Sequence, residues 1–363
     1  MTIFGTRPEI IRLSRIIPFL DRFSEHQLVH TGQNYTPELS DLFFSELGVR
    51  SPDVHFGIQT NRFAEQVARI LEATDEVLEG SRPDRVLILG DTNSGLSAIA
   101  AARRGIPVYH LEAGNRCFDD RVPEEVNRRL IDHSSAVLLP YTHRSKENLI
   151  REGIERERIF VVGNPIFEVM EASSQRIAAS DVIDRLRLVA GSYLLVTMHR
   201  AENVDDPARL NRLLHGLFRA ADVTGLRLVW PVHPRTAQRL EQVMPARAAE
   251  QLLTMPPLGF VEFSRLERDA ACVLTDSGTV QEECAILRIP NVTIRDVTER
   301  PETIEVGSNM VTGSEPDDIA DAVAVVRALP NSWNAPPEYV APNVSATVAK
   351  IVLGHTSLRR HGA

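Results

Sequence analysis

The chain has 363 residues, enough for two domains of ordinary size, and its 43% hydrophobic and 25% charged content is that of a soluble globular protein. A formal net charge of −9 with no basic run excludes the cationic stripe of a nucleic-acid-binding protein, and no apolar run approaches the roughly 20 residues of a membrane helix. Cys117, Cys272 and Cys284 are odd in number and lack metal-ligand spacing, so neither a disulfide framework nor a zinc site is expected. The opening Met1-Thr-Ile-Phe4 has no secretory h-region, which predicts a cytoplasmic enzyme with no membrane partner.

Short apolar runs alternate with amphipathic segments, the pattern of βαβ units and parallel sheets. In the first half, strands are predicted at 1–4, 27–30, 85–89, 107–111, 136–139 and 159–162, with helices at 10–22, 94–104 and 144–151 between them. Gly163-Asn-Pro165 marks a break, and a helix at 182–188 opens a second series. Its strands are predicted at 193–197, 227–231, 252–255, 272–274, 291–294 and 309–311. After Asn331-Ser-Trp-Asn-Ala-Pro-Pro337 a last helix is expected over 345–353. The pattern therefore predicts an α/β protein of two Rossmann-like domains facing a cleft, spanning 1–165 and 166–342, with a C-terminal helix and tail at 343–363.

Ligands of doubly wound sheets bind outside the carboxyl ends of the strands, so the polar residues there are the candidates. Gly5-Thr-Arg-Pro-Glu9 follows the first strand; Thr6 and Glu9 have capping-box spacing, and Pro8 suits a first helical turn. Arg7 then sits where a helix N-terminus already favours an anion, and Arg12 adds a second cation one turn on. Asp91 and Glu112 end two strands in Leu89-Gly-Asp-Thr92 and His110-Leu-Glu-Ala-Gly114, and Glu124 opens a helix in Pro123-Glu-Glu-Val-Asn-Arg128. Each alone reads as a cap or a first-turn acid; together they suggest a shared cleft. In the second half, His199 closes a strand. Thr275-Asp-Ser-Gly-Thr-Val-Gln-Glu-Glu283 joins a strand to a helix, and its Ser277, Gly278 and Thr279 offer amides and hydroxyls to a phosphate. Glu283 lies where an acid accepts hydrogen bonds from a ribose diol. His233-Pro-Arg235 and Thr298-Glu-Arg-Pro-Glu302 end two further strands.

The order of these motifs resembles that of the non-hydrolysing UDP-N-acetylglucosamine 2-epimerases from end to end. The resemblance implies a glycosyltransferase-B-like fold in which the C-terminal helix returns to the first domain, a homodimer, and a UDP-linked 2-acetamido sugar as ligand. It implies catalytic roles for Asp91, Glu112, Glu124 and His199. UDP or substrate contacts are implied for Arg7, Arg12, Arg128, Phe263, Ser277, Gly278, Thr279, Glu283 and Arg300. The chain departs from the family where Arg12 replaces a lysine, Met198 a glycine, Thr279-Val280 a Gly-Ile pair, and Gln33-Asn34-Tyr35 a loop linked to substrate activation. His30-Thr-Gly-Gln-Asn-Tyr35, Glu112-Ala-Gly-Asn-Arg-Cys-Phe118 and Val340-Ala-Pro-Asn-Val-Ser345 resemble the capsule and O-antigen members, including those that form UDP-N-acetyl-L-fucosamine.

The family reaction eliminates UDP across C1–C2 and adds it back with the proton on the other face of C2. Such chemistry needs cations and helix amides at the departing diphosphate and acid/base groups at C2, and it implies neither a metal nor a redox cofactor. A hydrolysing epimerase, a glycosyltransferase of the same fold and a non-catalytic UDP-sugar sensor are the competing readings. The sensor leaves Asp91, Glu112 and Glu124 without a purpose.

Overall fold

Runs of aliphatic and β-branched residues form the strands of the computed structural model, which describes residues 1–32, 37–58, 60, 62–232, 234–243 and 248–354. Contacts divide the chain into two units, Met1–Glu171 with the chain from Glu338 onward, and Ala172–Pro337. The first contains β1 (Thr2–Phe4), β2 (Leu28–His30), β3 (Val54–His55), β4 (Val86–Leu89), β5 (Val108–Leu111) and β6 (Val137–Leu139). The second contains β7 (Tyr193–Thr197), β8 (Arg227–Pro231), β9 (Leu252–Met255), β10 (Cys272–Thr275), β11 (Asn291–Thr293) and β12 (Asn309–Val311).

Each unit has one parallel sheet. The orders are β3-β2-β1-β4-β5-β6 and β9-β8-β7-β10-β11-β12, the doubly wound Rossmann arrangement in both cases. Side chains alternate between the faces of each strand, so each sheet feeds two cores. In the first unit Phe4, Leu87 and Leu89 join one cluster while Ile3, Val86 and Ile88 join another. In the second, Leu194 and Val196 face one cluster and Tyr193 and Leu195 the other. The C-terminal helix Val344–Gly354 buries Val344, Val348 and Val352, one per turn, in the Phe4 cluster. It therefore returns to the first sheet, as the resemblance implies. None of the described helices is long and apolar enough to cross a membrane.

Several predicted elements differ: the helix expected at 182–188 is only Val182–Arg185, and the one expected at 94–104 opens as a 3-10 turn, Asn93–Leu96, before Ser97–Arg103. The sixth strand of the first sheet is the two-residue β3, not 159–162. Ile159 makes a single parallel bridge to Leu138, and Ile159 and Val162 bury their side chains without extending the ladder. The helix predicted at 10–22 is two helices, Arg7–Leu13 and Ile17–Phe23. Pro18 is in the first turn of the second; having no N–H, it cannot donate to the turn before it, and the chain restarts there. Predicted segments at residues 33–36 and at His233 lie outside the described residues.

Gly114 fixes the loop after β5. Its φ is +78°, and a Cβ there would stand 2.3 Å from the Ser145 carbonyl oxygen. Gly114→Ala is expected to destabilise the protein by about 3 kcal/mol, from positive-φ strain plus overpacking against backbone. Urea unfolding at equilibrium measures it, and a loss below about 1 kcal/mol contradicts the assignment.

Candidate active site

The loops after β1, β2 and β4 converge because Gly5 places no side chain between them. A Cβ on Gly5 would meet the Thr31 hydroxyl at 2.1 Å and the Ser94 hydroxyl at 2.2 Å. The Glu9 carboxylate turns back on the same loop, accepting from the backbone N–H groups of Gly5 and Thr6 at 2.6 and 2.9 Å, which is the Glu half of the expected capping box. It also accepts from the Thr92 hydroxyl at 2.6 Å, tying the Arg7 loop to the Asp91 loop. Burial, aided by the nearby Asp91 charge, pushes the Glu9 carboxyl up to about 7 against the pull of its three donors.

This has a consequence for stability. Between pH 4.5 and 7 folded Glu9 keeps a proton that the unfolded chain has lost. Its contribution is therefore fully present below pH 4.5 and is lost as pH rises through 7, a fall of about 3 kcal/mol. Glu9→Gln is expected to flatten the stability curve in that window. Parallel pH dependences of wild type and variant in urea melts would contradict this.

Arg7, half-buried in the first turn of its helix, lies over the Phe43 ring at 5.7 Å from the centroid. Among the described residues it has no carboxylate partner, so its charge is available to an anion. Arg12 is placed differently. Its guanidinium is buried against Glu112, with Nε 3.7 Å from a carboxylate oxygen. Glu112 itself has a φ of +72° and receives the Asn115 side-chain amide at 3.5 Å on its other oxygen.

Leu89 of β4 pairs with Leu111 of β5, so Asp91 and Glu112 leave adjacent strand ends. The helix Pro123–Ser134 organises them. Arg128 reaches Asp91 at 2.5 Å and Glu125 at 3.0 Å, and Asn127 donates to the Asp91 carbonyl and to Asn93, each at 3.0 Å. Asp91 is 18% exposed, so the gripped carboxylate still meets solvent. Glu124 is half-buried in the first turn of the same helix. Its neighbour Glu125 is fully buried and accepts from the backbone N–H groups of Cys117 and Phe118 at 3.0 and 3.1 Å. Glu125 is a buried anchor for the 117–118 loop and for Arg128 that sequence reading passed over: Pro123-Glu-Glu gives no sign of which acid faces inward.

The second unit builds its own cluster. Thr197 pairs with Thr275, which puts His199 and Asp276 at neighbouring strand ends. Fully buried Asp276 accepts from the backbone N–H of His199 at 3.0 Å, from that of Arg200 at 2.9 Å and from the Asn203 amide at 3.2 Å. It also lies 3.5 Å from His199 Nδ1, leaving the imidazole 54% exposed. Ser277 precedes the helix Gly278–Leu287, with Ser277 and Thr279 half-buried around buried Gly278. The Cβ direction of Gly278 points at the Arg300 guanidinium, 3.5 Å away. Arg300 is held there by an ion pair with fully buried Glu282. Glu283, one residue on, is buried beside Glu267, whose carboxyl is pushed well up by burial and by the Glu283 charge. Phe263 is half-buried and, like Leu258, packs against the core cluster that holds Tyr193 and Leu195. In the first unit contacts join Arg12 to Glu112 and Arg128 to Asp91, and the same unit carries Arg7 and Glu124; the second unit carries the remaining candidates.

The model of the family described as UDP-N-acetylglucosamine 2-epimerase matches residues 20–353. A UDP-N-acetylglucosamine 2-epimerase of Methanocaldococcus jannaschii is 39% identical over 345 residues, covering 92% of this chain and 93% of the relative. A UDP-2,3-diacetamido-2,3-dideoxy-D-glucuronate 2-epimerase of Pseudomonas aeruginosa is 35% identical over 326 residues, covering 89% and 90%. The crystal structure of the Methanocaldococcus jannaschii UDP-GlcNAc 2-epimerase in complex with UDP-GlcNAc and UDP superimposes with a TM-score of 0.92 at 37% identity, covering 97% of this chain and 98% of the other. The two parallel Rossmann sheets and this likeness make the fold glycosyltransferase-B-like. The similarity runs through nearly the whole length on both sides, and the chain belongs to the UDP-N-acetylglucosamine 2-epimerase family.

Proposed function

We propose that this protein is an isomerase that inverts C2 of UDP-N-acetylglucosamine to give UDP-N-acetylmannosamine. The observation that carries this reading is the placement of Asp91 and Glu112 at adjacent strand ends, with one helix supplying Glu124 and the Arg128 grip on Asp91. The C2 proton is not adjacent to a carbonyl, so direct deprotonation at neutral pH is too difficult. Elimination avoids the problem: a base takes the C2 proton, the C1–O bond breaks, and the electron pair leaves with UDP. The resulting 2-acetamidoglycal then takes UDP back at C1 and a proton on the opposite face of C2.

Asp91 and Glu124 handle the protons at C2. Glu112, oriented by Arg12 and Asn115, holds the sugar. Arg7, the Ser277-Gly278-Thr279 helix start and Arg300 stabilise the charge that develops on the departing diphosphate, and His199 assists there. Glu283 takes the ribose diol and Phe263 the uracil. The enzyme works as a cytoplasmic homodimer, with 1–165 supplying the sugar side and 166–342 the nucleotide side.

Incubating the purified protein with UDP-N-acetylglucosamine and separating the products by ion-pair chromatography tests the reading. Appearance of UDP-N-acetylmannosamine without free sugar is the expected result; free N-acetylmannosamine plus UDP would indicate a hydrolase. The Glu112–Phe118 and Val340–Ser345 motifs favour one second substrate, UDP-2-acetamido-2,6-dideoxy-L-talose, converted to UDP-N-acetyl-L-fucosamine. Its turnover in place of UDP-N-acetylglucosamine would move the protein to that branch.

A further inference from the structure

A buried pair joins β5 to the Pro123–Ser134 helix, beside the strand ends and helix start that carry the proposed catalytic acids. His110 of β5 and Asp132 of the Pro123–Ser134 helix are both fully buried, with His110 Nδ1 2.8 Å from Asp132 Oδ1. Asp132 Oδ2 accepts from the Gly114 backbone N–H at 3.2 Å and from Arg116 at 2.7 Å. Burial acts to raise the Asp132 carboxyl but is outweighed by His110 and Arg116, which hold it below the usual carboxylate range. Asp132 and Nδ1 share one hydrogen bond. The other ring nitrogen, Nε2, is 2.8 Å from the carbonyl oxygen of Gly90, which can only accept. Nε2 is therefore the donor, and its bond goes to the peptide that carries Asp91.

That peptide needs such a restraint. The Gly90 N–H is fixed by the Leu111 carbonyl at 2.9 Å, but φ is +77° and a side chain at Gly90 would meet nothing within 4 Å. The Gly90 carbonyl takes its hydrogen bond from His110, so a turn of the Gly90–Asp91 peptide would break that bond and swing the Asp91 carboxylate off Arg128. Asp132 lies one helical turn beyond Arg128. One helix therefore holds Asp91 twice, by its carboxylate through Arg128 and by its preceding carbonyl through Asp132 and His110.

We propose that His110 is a positioning residue for the epimerisation: held by Asp132, it fixes the Gly90 carbonyl and with it the aim of the Asp91 carboxylate. The proposal rests on the reading that Asp91 acts at C2. A buried histidine that merely fills the core is the alternative role, and two variants separate them. His110→Phe keeps the ring and removes the Nε2 donor; His110→Gln keeps an N–H for the Gly90 carbonyl. Turnover is measured per folded chain, the folded fraction being read from near-UV circular dichroism. The expected result for His110→Phe is a fall in kcat of about 100-fold, the effect of ångström-scale misplacement, with KM within about threefold of wild type. His110→Gln is expected to recover kcat to within about tenfold of wild type.

A His110→Phe enzyme with wild-type kcat per folded chain, or a loss carried by KM alone, would overturn the proposal. So would failure of His110→Gln to recover more turnover than His110→Phe. A measurement on the unmutated protein covers the case in which the variants do not fold. With 15N-labelled histidine, His110 Nε2 must be protonated, with through-bond coupling from Nε2–H to the Gly90 carbonyl. An unprotonated Nε2 would refute it. Wild-type protein that leaves UDP-sugars unchanged would defeat the reading of Asp91 instead, and the nitrogen spectrum would still judge the hydrogen bonds.

Discussion

Asp91→Asn is expected to lower turnover by about 10³-fold while leaving UDP affinity unchanged, because it removes proton transfer and nothing that holds the nucleotide. The amide keeps the shape of the carboxylate, and Arg128 retains its 3.0 Å contact with fully buried Glu125. The fold therefore loses only the 2.5 Å pair to a partly exposed side chain. Steady-state turnover together with a calorimetric titration with UDP separates the two quantities. Turnover within tenfold of wild type would remove Asp91 from the chemistry; loss of UDP binding would place it on the nucleotide instead.

Arg300→Ala is expected to have the largest effect in the second unit, and on two properties at once. Glu282 is fully buried, and Arg300 is 5% exposed beside it. Removing the cation strands a buried carboxylate, which costs about 3–5 kcal/mol. The same change takes away the guanidinium that stands over Gly278 at the helix start, so UDP affinity is expected to fall as well. The double variant Arg300→Met, Glu282→Met tells these apart, because replacing both members of a buried pair with apolar residues of similar volume is nearly neutral for stability. Thermal melts of the double variant should return towards wild type while its UDP affinity stays low. Recovery of both would mean that Arg300 serves the fold alone.

The strands of the second unit were legible in the sequence because each is a bounded apolar run, and β7, β8, β9 and β12 have the predicted limits. In the first unit β3 was not legible. It is two residues, Val54 and His55, paired to β2 at a sheet edge, and it carries no periodic signal of its own. The 159–162 run misled because its burial comes from packing rather than from ladder pairing. The break before Pro18 was signalled by the proline, but the apolar pattern continues through it on both sides.

For the site, the strand-end rule made Asp91, Glu112, His199 and Ser277 stand out, since that rule needs only the C-terminal limits of the strands. What the sequence withholds is which side chain grips which. Arg12 reads as a cation for a diphosphate from its helix position, yet it is buried against Glu112. Arg128 with Asp91, Arg300 with Glu282, and Asp276 with the His199 loop join residues from different elements. Tertiary packing alone brings these together. Glu125 and Asp132 were hidden for a related reason: on an acid-rich helix start and a polar helix face, burial is decided by the neighbouring loops rather than by local pattern.

The most direct test is proton NMR of the protein with UDP-N-acetylglucosamine in D2O. Inversion by removal and return of the C2 proton predicts deuterium at C2 in both the starting sugar and a growing UDP-N-acetylmannosamine signal. Formation of the manno sugar with its C2 proton retained, or no change in any UDP-linked 2-acetamido sugar offered, would contradict the account.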